Sequence, residues 1–399
     1  MQFRIDKKSG LKLSVLGFGC MRFPRNLSAI DMQRTESLIM DAINGGVNYF
    51  DTAYIYPGSE DALGIILEKN QARKWVYIAT KLPLVLCREP EDFDKFFNKQ
   101  LERLRTDYID YYLMHMITDI KLWEKFKSWG VEKWIEEKKK SGQIKQIGFS
   151  FHGSQAEFLK ILDAYPWEFC QIQYNYLEKN FQAGITGLNK AAETMPVIIM
   201  EPLLGGKLAT GLPQKALDIF KKANPNLTPV GWAFRWIWDN KEATVLLSGM
   251  NDKKQLQENL ELADKAIPQQ LTEDEHKAYH EVLKVIGSTY KVHCTYCNYC
   301  MPCPKGVNIP GVFAAYNSSF SMGFVSGMHQ YATSTALFTG RSGSPVNCTK
   351  CKACELKCPQ RVPVIQSLTN VKRRMEPFWM NILVKIVGAF LKWKSKARN

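Results

Sequence analysis

The chain lacks long hydrophobic runs. Its 399 residues contain no uninterrupted stretch of eighteen apolar residues, the length that a membrane-spanning helix needs. The first eight residues, Met1 to Lys8, contain no apolar core of the kind found in export signals. We therefore expect a reducing, cytoplasmic setting, in which a disulfide framework is disfavoured.

Two further signals are absent. No G-x-G-x-x-G fingerprint follows the first strand candidate, Val15–Gly19, which argues against a Rossmann dinucleotide site. The net charge of +14 would suit nucleic acid, but half of the excess lies from Lys372 to Asn399, where eight Lys or Arg accompany the single Glu376. The rest of the chain shows no basic stripe interleaved with aromatic residues, so no nucleic-acid partner is expected.

The basic end of the chain has apolar residues at helical spacing. Residues 376–399 therefore predict a basic amphipathic helix, with Trp379 and Trp393 on its apolar face. Such a helix either lies at the inner face of an anionic membrane or contacts a partner through residues 378–396, or it packs on its own domain. The sequence leaves these alternatives open.

Cysteine is concentrated in one region. Eight of the eleven cysteines form two rows that each end in Cys-Pro: Cys294, Cys297, Cys300 and Cys303, then Cys348, Cys351, Cys354 and Cys358. Three thiolates spaced three residues apart can bind three corners of an iron-sulfur cubane, while a distant fourth Cys binds the last corner. The rows predict two [4Fe-4S] clusters in a well-reduced or anaerobic environment.

The expected pairing follows two-cluster ferredoxins, in which the last Cys of each row serves the other cluster. Cys303 thus joins the second row and Cys358 the first, although the first row is one residue short before Cys303. Two zinc sites are the main alternative, but zinc usually uses two separated Cys-x-x-Cys pairs. Cys20, Cys87 and Cys170 lie in apolar surroundings and are interpreted as core thiols.

Residues 1–268 alternate short apolar runs with amphipathic stretches, and the stretch Leu122–Ser141 predicts one long helix. Eight such units predict an α/β fold, a (β/α)8 TIM barrel. The strand candidates are Val15–Gly19, Val47–Asp51, Val76–Lys81, Tyr108–His115, Gln146–Ser150, Phe169–Tyr174, Val197–Glu201 and Thr244–Ser248. A small, mainly helical, ferredoxin-like dicluster domain is expected over residues 269–375, and the opening segment predicts a hairpin that plugs the barrel's other mouth.

Polar residues cluster at the carboxyl ends of these strands, where TIM barrels carry their chemistry. With their surroundings they resemble the aldo-keto reductase family. The matching stretches are Leu16-Gly17-Phe18-Gly19, Asn48 to Tyr56, Glu60 with Leu63-Gly64, Ile78 to Lys81, Asp110 to His115, Ile147 to Ser150, and Glu258-Asn259. Together with the cysteine rows, the whole resembles the ferredoxin-fused branch of that family.

The resemblance implies a catalytic tetrad for a carbonyl or alcohol substrate. Tyr56 would donate the proton, Lys81 would lower the pKa of that phenol, and Asp51 would hold Lys81. His115 would orient the substrate oxygen. Tyr54 competes with Tyr56 for the donor role.

The resemblance also implies that NAD(P)H lies across the barrel top. Ser150 and Gln171 would hold its amide, but the family's next residue, Asn, is Phe151 here, and the stacking aromatic residue is replaced near Glu201. The positions for cations at the 2′-phosphate are Gly249 and Gln255, so NADPH preference is not expected. The remaining candidates of the nucleotide site are Gly19, Met21, Gly205, Ser248, Glu258 and Asn259.

Nicotinamide exchanges two electrons as hydride, whereas each cluster passes one. A flavin in place of nicotinamide, direct electron transfer from clusters to substrate, and purely structural clusters remain as alternatives. The leading hypothesis is a carbonyl-reducing or alcohol-oxidising oxidoreductase served by a redox partner such as ferredoxin. The alternative is a non-catalytic electron-transfer or redox-sensing subunit with a nucleotide-binding barrel.

Overall fold

A computed structural model describes residues 1–296, 299–337, 341–358 and 360–377. The amphipathic helix expected within residues 376–399 lies almost wholly outside the described residues. Across the described part of the chain, no helix combines the length and the apolar content needed to cross a membrane.

The chain opens with an antiparallel hairpin of β1 (Phe3–Ile5) and β2 (Lys12–Ser14). A second short pair, β4 (Arg25–Asn26) and β5 (Ala29–Ile30), follows the first barrel strand. Eight parallel strands close the barrel because the last pairs with the first. They are β3 (Leu16–Gly19), β6 (Tyr49–Asp51), β7 (Tyr77–Leu82), β8 (Ile109–Ile117), β9 (Ile144–Phe151), β10 (Phe169–Gln173), β11 (Val197–Met200) and β12 (Ala243–Ser248).

Helices surround this barrel, and half of the twelve begin at a capping side chain. The Asp31 side chain accepts a hydrogen bond from the Arg34 amide, and the Ser154 side chain accepts one from the Glu157 amide. Thr272 forms a capping box with Glu275. The helices are α1 (Met32–Asn44), α2 (Ser59–Lys69), α3 (Asp92–Leu104), α4 (Ile120–Ser128), α5 (Val131–Lys140), α6 (Gln155–Ala164), α7 (Gly184–Ala192), α8 (Lys207–Thr210), α9 (Gln214–Ala223), α10 (Pro229–Trp238), α11 (Lys253–Asp264) and α12 (Glu273–Gly287).

The expected barrel is confirmed, and two details differ from expectation. The long amphipathic run from Leu122 to Ser141 forms two helices, α4 and α5, because Gly130 adopts a φ of 83° between them. Helix α12, expected with the cysteine-rich region, packs on the barrel instead. Its Tyr279 hydroxyl donates to the Trp232 carbonyl oxygen at 2.7 Å.

The barrel is filled rather than hollow. Its interior side chains include Tyr49, Tyr111 and Phe169, which pack with Leu and Val from the other strands. The opening hairpin lies at the amino-terminal end, where the Tyr111 hydroxyl donates to Asp6 Oδ2 at 2.8 Å. Chemistry is therefore restricted to the opposite mouth, where the strands end.

The cysteine-rich region is helical, as expected, with a second and smaller core. Its helices are α13 (Ile309–Ser321), α14 (Phe324–Ser334), α15 (Ala353–Leu356) and α16 (Val364–Met375). Val312, Phe313, Leu368 and Val371 form the centre of this core, and six of the cysteines pack against it. The thiols are thus part of the packing of this region.

Candidate active site and cysteine cavities

Four predicted catalytic residues meet at the carboxyl end of the barrel. Asp51 ends β6, Lys81 lies in β7 and His115 in β8, while Tyr56 lies in the loop between β6 and α2. Because neighbouring parallel strands end at the same mouth, residues distant in sequence become neighbours here.

Lys81 and Asp51 form a buried ion pair. Their side chains are 1% and 5% exposed, and Lys81 Nζ lies 2.7 Å from both Oδ1 and Oδ2 of Asp51. The third ammonium proton goes to the Thr52 carbonyl oxygen, also at 2.7 Å. Burial raises the pKa of Asp51, and the charge and hydrogen bonds of Lys81 oppose that rise. All three donors of the ammonium are therefore directed at the β6 end.

Tyr56 lies against this pair and against His115. Lys81 Nζ is 5.4 Å from the centroid of the Tyr56 ring, and the His115 ring stands edge-on to it with centroids 6.4 Å apart. Burial, followed by the charges of Asp51 and Glu201, raises the pKa of Tyr56 above its ordinary value. Burial is the largest cause of this shift, and the expected lowering by Lys81 stays a prediction.

Tyr54, the competing phenol, points elsewhere. Its ring packs edge-on to Phe96 at 4.8 Å, and the guanidinium of Arg103 lies 4.3 Å from its centroid. Tyr56 is accordingly the tyrosine of this pair that faces the tetrad.

His115 is buried, and its neighbours are cationic or neutral. Burial, then Lys81, then His152 lower the pKa of His115 well below its ordinary value. The imidazole is therefore neutral at neutral pH and can donate one hydrogen bond without carrying charge.

Ser150 and Gln171 are register partners on β9 and β10. Ser150 Oγ accepts a bond from the Met116 amide at 2.8 Å, which leaves its own proton available. Gln171 Nε2 lies 3.3 Å from Asp51 Oδ2, while Gln171 Oε1 is buried and has no hydrogen-bond partner in the described part of the chain. A free hydroxyl proton and an orphaned amide oxygen match the carbonyl and the NH2 of a carboxamide.

Phe151, in the place of the family's Asn, belongs to the core. It is fully buried and packs on Phe158, with ring centroids 5.1 Å apart. The next residue, His152, reaches the mouth region, and its Nδ1 is buried without a partner. Gly153 holds this loop close to β8, since a Cβ there would lie 1.8 Å from the Thr118 carbonyl oxygen.

The other predicted nucleotide residues surround the same mouth. Glu201 has a φ of 53°, and burial raises its pKa while His329 and Arg22 oppose that rise. Ser248 Oγ accepts from Asn259 Nδ2 at 2.9 Å, and Gln255 Oε1 accepts from the Asn251 amide at 3.1 Å. Glu258 accepts a bond from the Thr228 hydroxyl, and Met21, just after β3, is 57% exposed.

Arg22 is a mouth residue that the sequence analysis missed. Its Nη1 donates to the Gly205 carbonyl oxygen at 3.2 Å, and a Cβ on Gly249 would lie 3.3 Å from its Cδ. A Cβ on Gly19 would lie 3.4 Å from the Ser248 carbonyl oxygen, so the ends of β3 and β12 adjoin here. Arg22 thus brings a cation to the end of the mouth where Gly249 and Gln255 supply none. No local sequence motif predicts this position of Arg22, because the residues that Arg22 contacts are far from it in sequence.

The cysteines line two cavities. Cys294, Cys300 and Cys358 line one, and Cys297 lies outside the described residues. Four others, Cys303, Cys348, Cys351 and Cys354, line a second. In both cavities the last Cys of one row lies with the opposite row. Cys20, Cys87 and Cys170 are buried in the barrel, and burial raises the pKa of Cys87 to about 12.

The cysteine-rich region also contacts the barrel mouth. Gln330 of α14 donates to Glu178, which follows β10, and Gln173 of β10 donates to the same carboxylate. The ring of Tyr296, between two cysteines of the first row, lies 6.4 Å from that of Phe181. Burial, followed by the charge of Glu201, raises the pKa of Glu178 to about 8.

Comparisons with known proteins agree with this architecture. The profile of the aldo/keto reductase family matches residues 15–284, and that of the 4Fe-4S dicluster domain matches residues 293–363. The solved aldo-keto reductase AKR11C1 of Bacillus halodurans, in its holo form, shares the fold with a TM-score of 0.59 at 22% identity, covering 71% of this chain and 96% of that one.

Two curated relatives are similar in sequence. Protein REDOX 2 of Catharanthus roseus is 25% identical over 70% of this chain and 88% of its own length. Aldehyde reductase YPR1 of Saccharomyces cerevisiae is 29% identical over 36% of this chain, and the alignment spans 49% of the yeast protein. The chain belongs to the aldo/keto reductase family and carries a 4Fe-4S dicluster domain after its barrel.

Proposed function

We propose that this chain is an oxidoreductase that interconverts a carbonyl compound and its alcohol at the barrel mouth. The observation that supports this most directly is the buried Lys81–Asp51 pair with the rings of Tyr56 and His115 beside it. These groups converge from different strands on one site, which a purely structural ion pair does not require.

In this proposal each residue handles one part of the proton chemistry. Tyr56 keeps its proton at neutral pH because its pKa is raised, so it is available as a donor to the substrate oxygen. His115 donates a hydrogen bond to the same oxygen as a neutral imidazole. Lys81 and Asp51 hold the end of β6 in place and balance the charge left on Tyr56 after the proton has moved.

The nucleotide proposal is that Ser150 and Gln171 hold the carboxamide of a nicotinamide, which supplies hydride when bound. The free proton of Ser150 and the unpaired Oε1 of Gln171 fit that group. Arg22, beside Gly205 and Gly249, would contact its phosphates. No motif in the chain supports a flavin at this place.

For the dicluster domain, we assign Cys294, Cys297, Cys300 and Cys358 to one [4Fe-4S] cluster. Cys303, Cys348, Cys351 and Cys354 bind the other. The mixed lining of the two cavities supports this exchange of the last cysteines. Bound clusters supply one-electron transfer, and their thiolates require a reducing compartment.

Anaerobic purification, with iron, sulfide and flavin assays, followed by NADH and NADPH oxidation against a panel of aldehydes and ketones, tests the function. Tyr56→Phe should lower kcat by roughly 10²- to 10⁴-fold, because it removes the donated proton. Tyr54→Phe is the matched control and should leave kcat within about twofold. Equal activity of the Tyr56→Phe and wild-type proteins would contradict the assignment.

A second candidate is a non-catalytic electron-transfer or redox-sensing subunit. The core position of Phe151 favours it, since one of the expected amide contacts is missing. In that case the protein binds nucleotide, but no carbonyl substrate oxidises NADH or NADPH in the same assay.

A further inference from the structure

The two cysteine cavities have different surroundings. The first, with Cys294 and Cys300, adjoins Tyr296, which contacts Phe181 of the barrel. The second is enclosed by residues 303–309 and 348–368 of the cysteine-rich region itself, and Cys351 in its wall is exposed. One cavity therefore has a neighbouring residue in contact with the barrel, and the other, which we call the solvent-facing cavity, has an exposed cysteine in its wall.

Cations surround the solvent-facing cavity. Lys305 and Lys352 line it, and Lys350 and Lys357 are exposed beside it. Residues 342–375 contain seven Lys or Arg and the single acid Glu355. Glu355 accepts a bond from the Ile365 amide at 3.0 Å, so part of its charge is used within the domain.

No counter-ion for these lysines is found among the described residues. Within the described residues, Lys305, Lys350, Lys352 and Lys357 take part in no ion pair, whereas nineteen other pairs are formed elsewhere. Exposed cations repel one another when they lie within about a Debye length, roughly 8 Å at physiological salt. An anionic partner would relieve that repulsion.

An apolar side chain lies among them. Leu356, at the end of α15, is 88% exposed, and its amide bonds to the Lys352 carbonyl oxygen at 3.2 Å. The Arg361 amide donates to the Cys358 carbonyl oxygen at 3.1 Å, so Arg361 lies close to the end of this segment around Cys354. An apolar centre with a charged rim is the common anatomy of a protein interface.

We propose that this surface, formed by Lys305, Lys350, Lys352, Leu356, Lys357 and Arg361, docks a small acidic one-electron carrier protein. The cysteines behind it favour this occupant over a membrane or a nucleic acid, since electron transfer needs the partner close to the cluster. This inference rests on the proposed electron-carrying role of the dicluster domain. In each encounter one electron passes between the carrier and a bound cluster and no bond changes, so one of the two is oxidised by one electron as the other is reduced by one.

The test measures binding rather than turnover. The anaerobically prepared full-length protein is titrated with a purified acidic [2Fe-2S] ferredoxin by calorimetry at 20 mM and 300 mM salt. The triple variant K350E/K352E/K357E should weaken binding at least about tenfold at low salt, with a much smaller difference at high salt. Leu356→Asp should weaken it roughly threefold or more, and iron and sulfide content should remain at the wild-type value.

The matched control is K8E/K12E/K265E, which changes the net charge equally at exposed lysines of the barrel. It should bind the ferredoxin as the wild type does. Equal loss in both triple variants would show that only net charge matters and would overturn the proposal. It is also overturned if the patch variant binds ferredoxin normally but loses binding to anionic vesicles or duplex DNA.

The proposed function can fail independently. Patch-dependent ferredoxin binding without NAD(P)H-dependent carbonyl reduction would support the docking surface and contradict the enzyme assignment. NAD(P)H-dependent carbonyl reduction without patch-dependent ferredoxin binding would support the enzyme assignment and contradict the docking surface.

Discussion

Cations at the barrel mouth and in the dicluster domain have opposite surroundings. Lys81 is 1% exposed and directs all its protons at Asp51 and Thr52. Lys350, Lys352 and Lys357 are exposed, and no ion pair of theirs is formed among the described residues. A buried charge needs a counter-ion within the protein, whereas an exposed charge is solvated and can pair with an oppositely charged group of another molecule.

The hydrophobic cores of the barrel and of the dicluster domain also differ, in size and in how far they depend on bound groups. The barrel core consists of aliphatic and aromatic side chains from every strand and most helices. The core of the dicluster domain is small, and Cys294, Cys300 and Cys354 are among the thiols packed against it. We therefore expect the barrel to be stable by itself and the dicluster domain to depend on what its cysteines bind.

Removing the iron should break this comparison most strongly. Chelation under anaerobic conditions should raise amide exchange in α13 and α16 by roughly 100-fold or more, because the small core then lacks its cross-links. Exchange in β7 and β8 should stay unchanged. Hydrogen exchange with mass spectrometry measures both regions at once, and unchanged protection of α13 would refute the dependence.

Lys81→Met should have the next largest effect. It leaves the Asp51 carboxylate buried without a partner, at a cost of about 3–5 kcal/mol in the free energy of unfolding. The double variant Lys81→Met/Asp51→Asn should recover most of that stability but no carbonyl turnover. Denaturant unfolding of the barrel checks the first result, and a single variant as stable as wild type would contradict it.

The pH dependence of stability sharpens the role of Glu178. Burial raises its pKa from 4.5 to about 8, so between these values the folded protein keeps a proton that the unfolded chain has lost. Stability should therefore fall as pH rises through this window, by at most about 1.4 kcal/mol per pH unit from this group. Glu178→Gln should flatten that slope in thermal unfolding measured from pH 5 to pH 8.

Glu275→Gln is the control for Glu178→Gln, because the pKa of Glu275 is shifted in the opposite direction. For Glu275, burial raises the pKa but is outweighed by the hydrogen bonds from Arg235 and Thr272, so the pKa is lowered. Its contribution is present above the ordinary pKa and lost as pH falls. A Glu178→Gln protein with the wild-type slope would show that this carboxyl does not titrate in the window.

Arg22→Gln should give the smallest change. If Arg22 contacts the nucleotide phosphates, the Kd for NADPH should rise about tenfold, since a charge-assisted hydrogen bond is worth about 1.5–3 kcal/mol. Arg34→Gln, at an exposed position on α1, should leave the Kd unchanged. Fluorescence titration of the nucleotide distinguishes them, and an unaltered Kd for Arg22→Gln would remove this residue from the site.

The barrel was predictable because its signals are local and repeated. Each strand from Val15–Gly19 to Thr244–Ser248 was found to within two residues at both ends. The sequence predicted one helix over Leu122–Ser141 and missed the break within it, because only the φ of Gly130 separates α4 from α5. The choice between Tyr54 and Tyr56 also needed the structure, since both residues lie in the same loop.

Composition and spacing by themselves determined the number of barrel units, the two cysteine rows and the residue types at the strand ends, because each depends on neighbours along the chain. Only the tertiary structure decided three hydrogen bonds: Lys81 donates to Asp51, Arg22 donates to the Gly205 carbonyl oxygen, and Gln330 donates to Glu178. Those contacts join segments up to 183 residues apart, and their burial sets the pKa values that the chemistry uses.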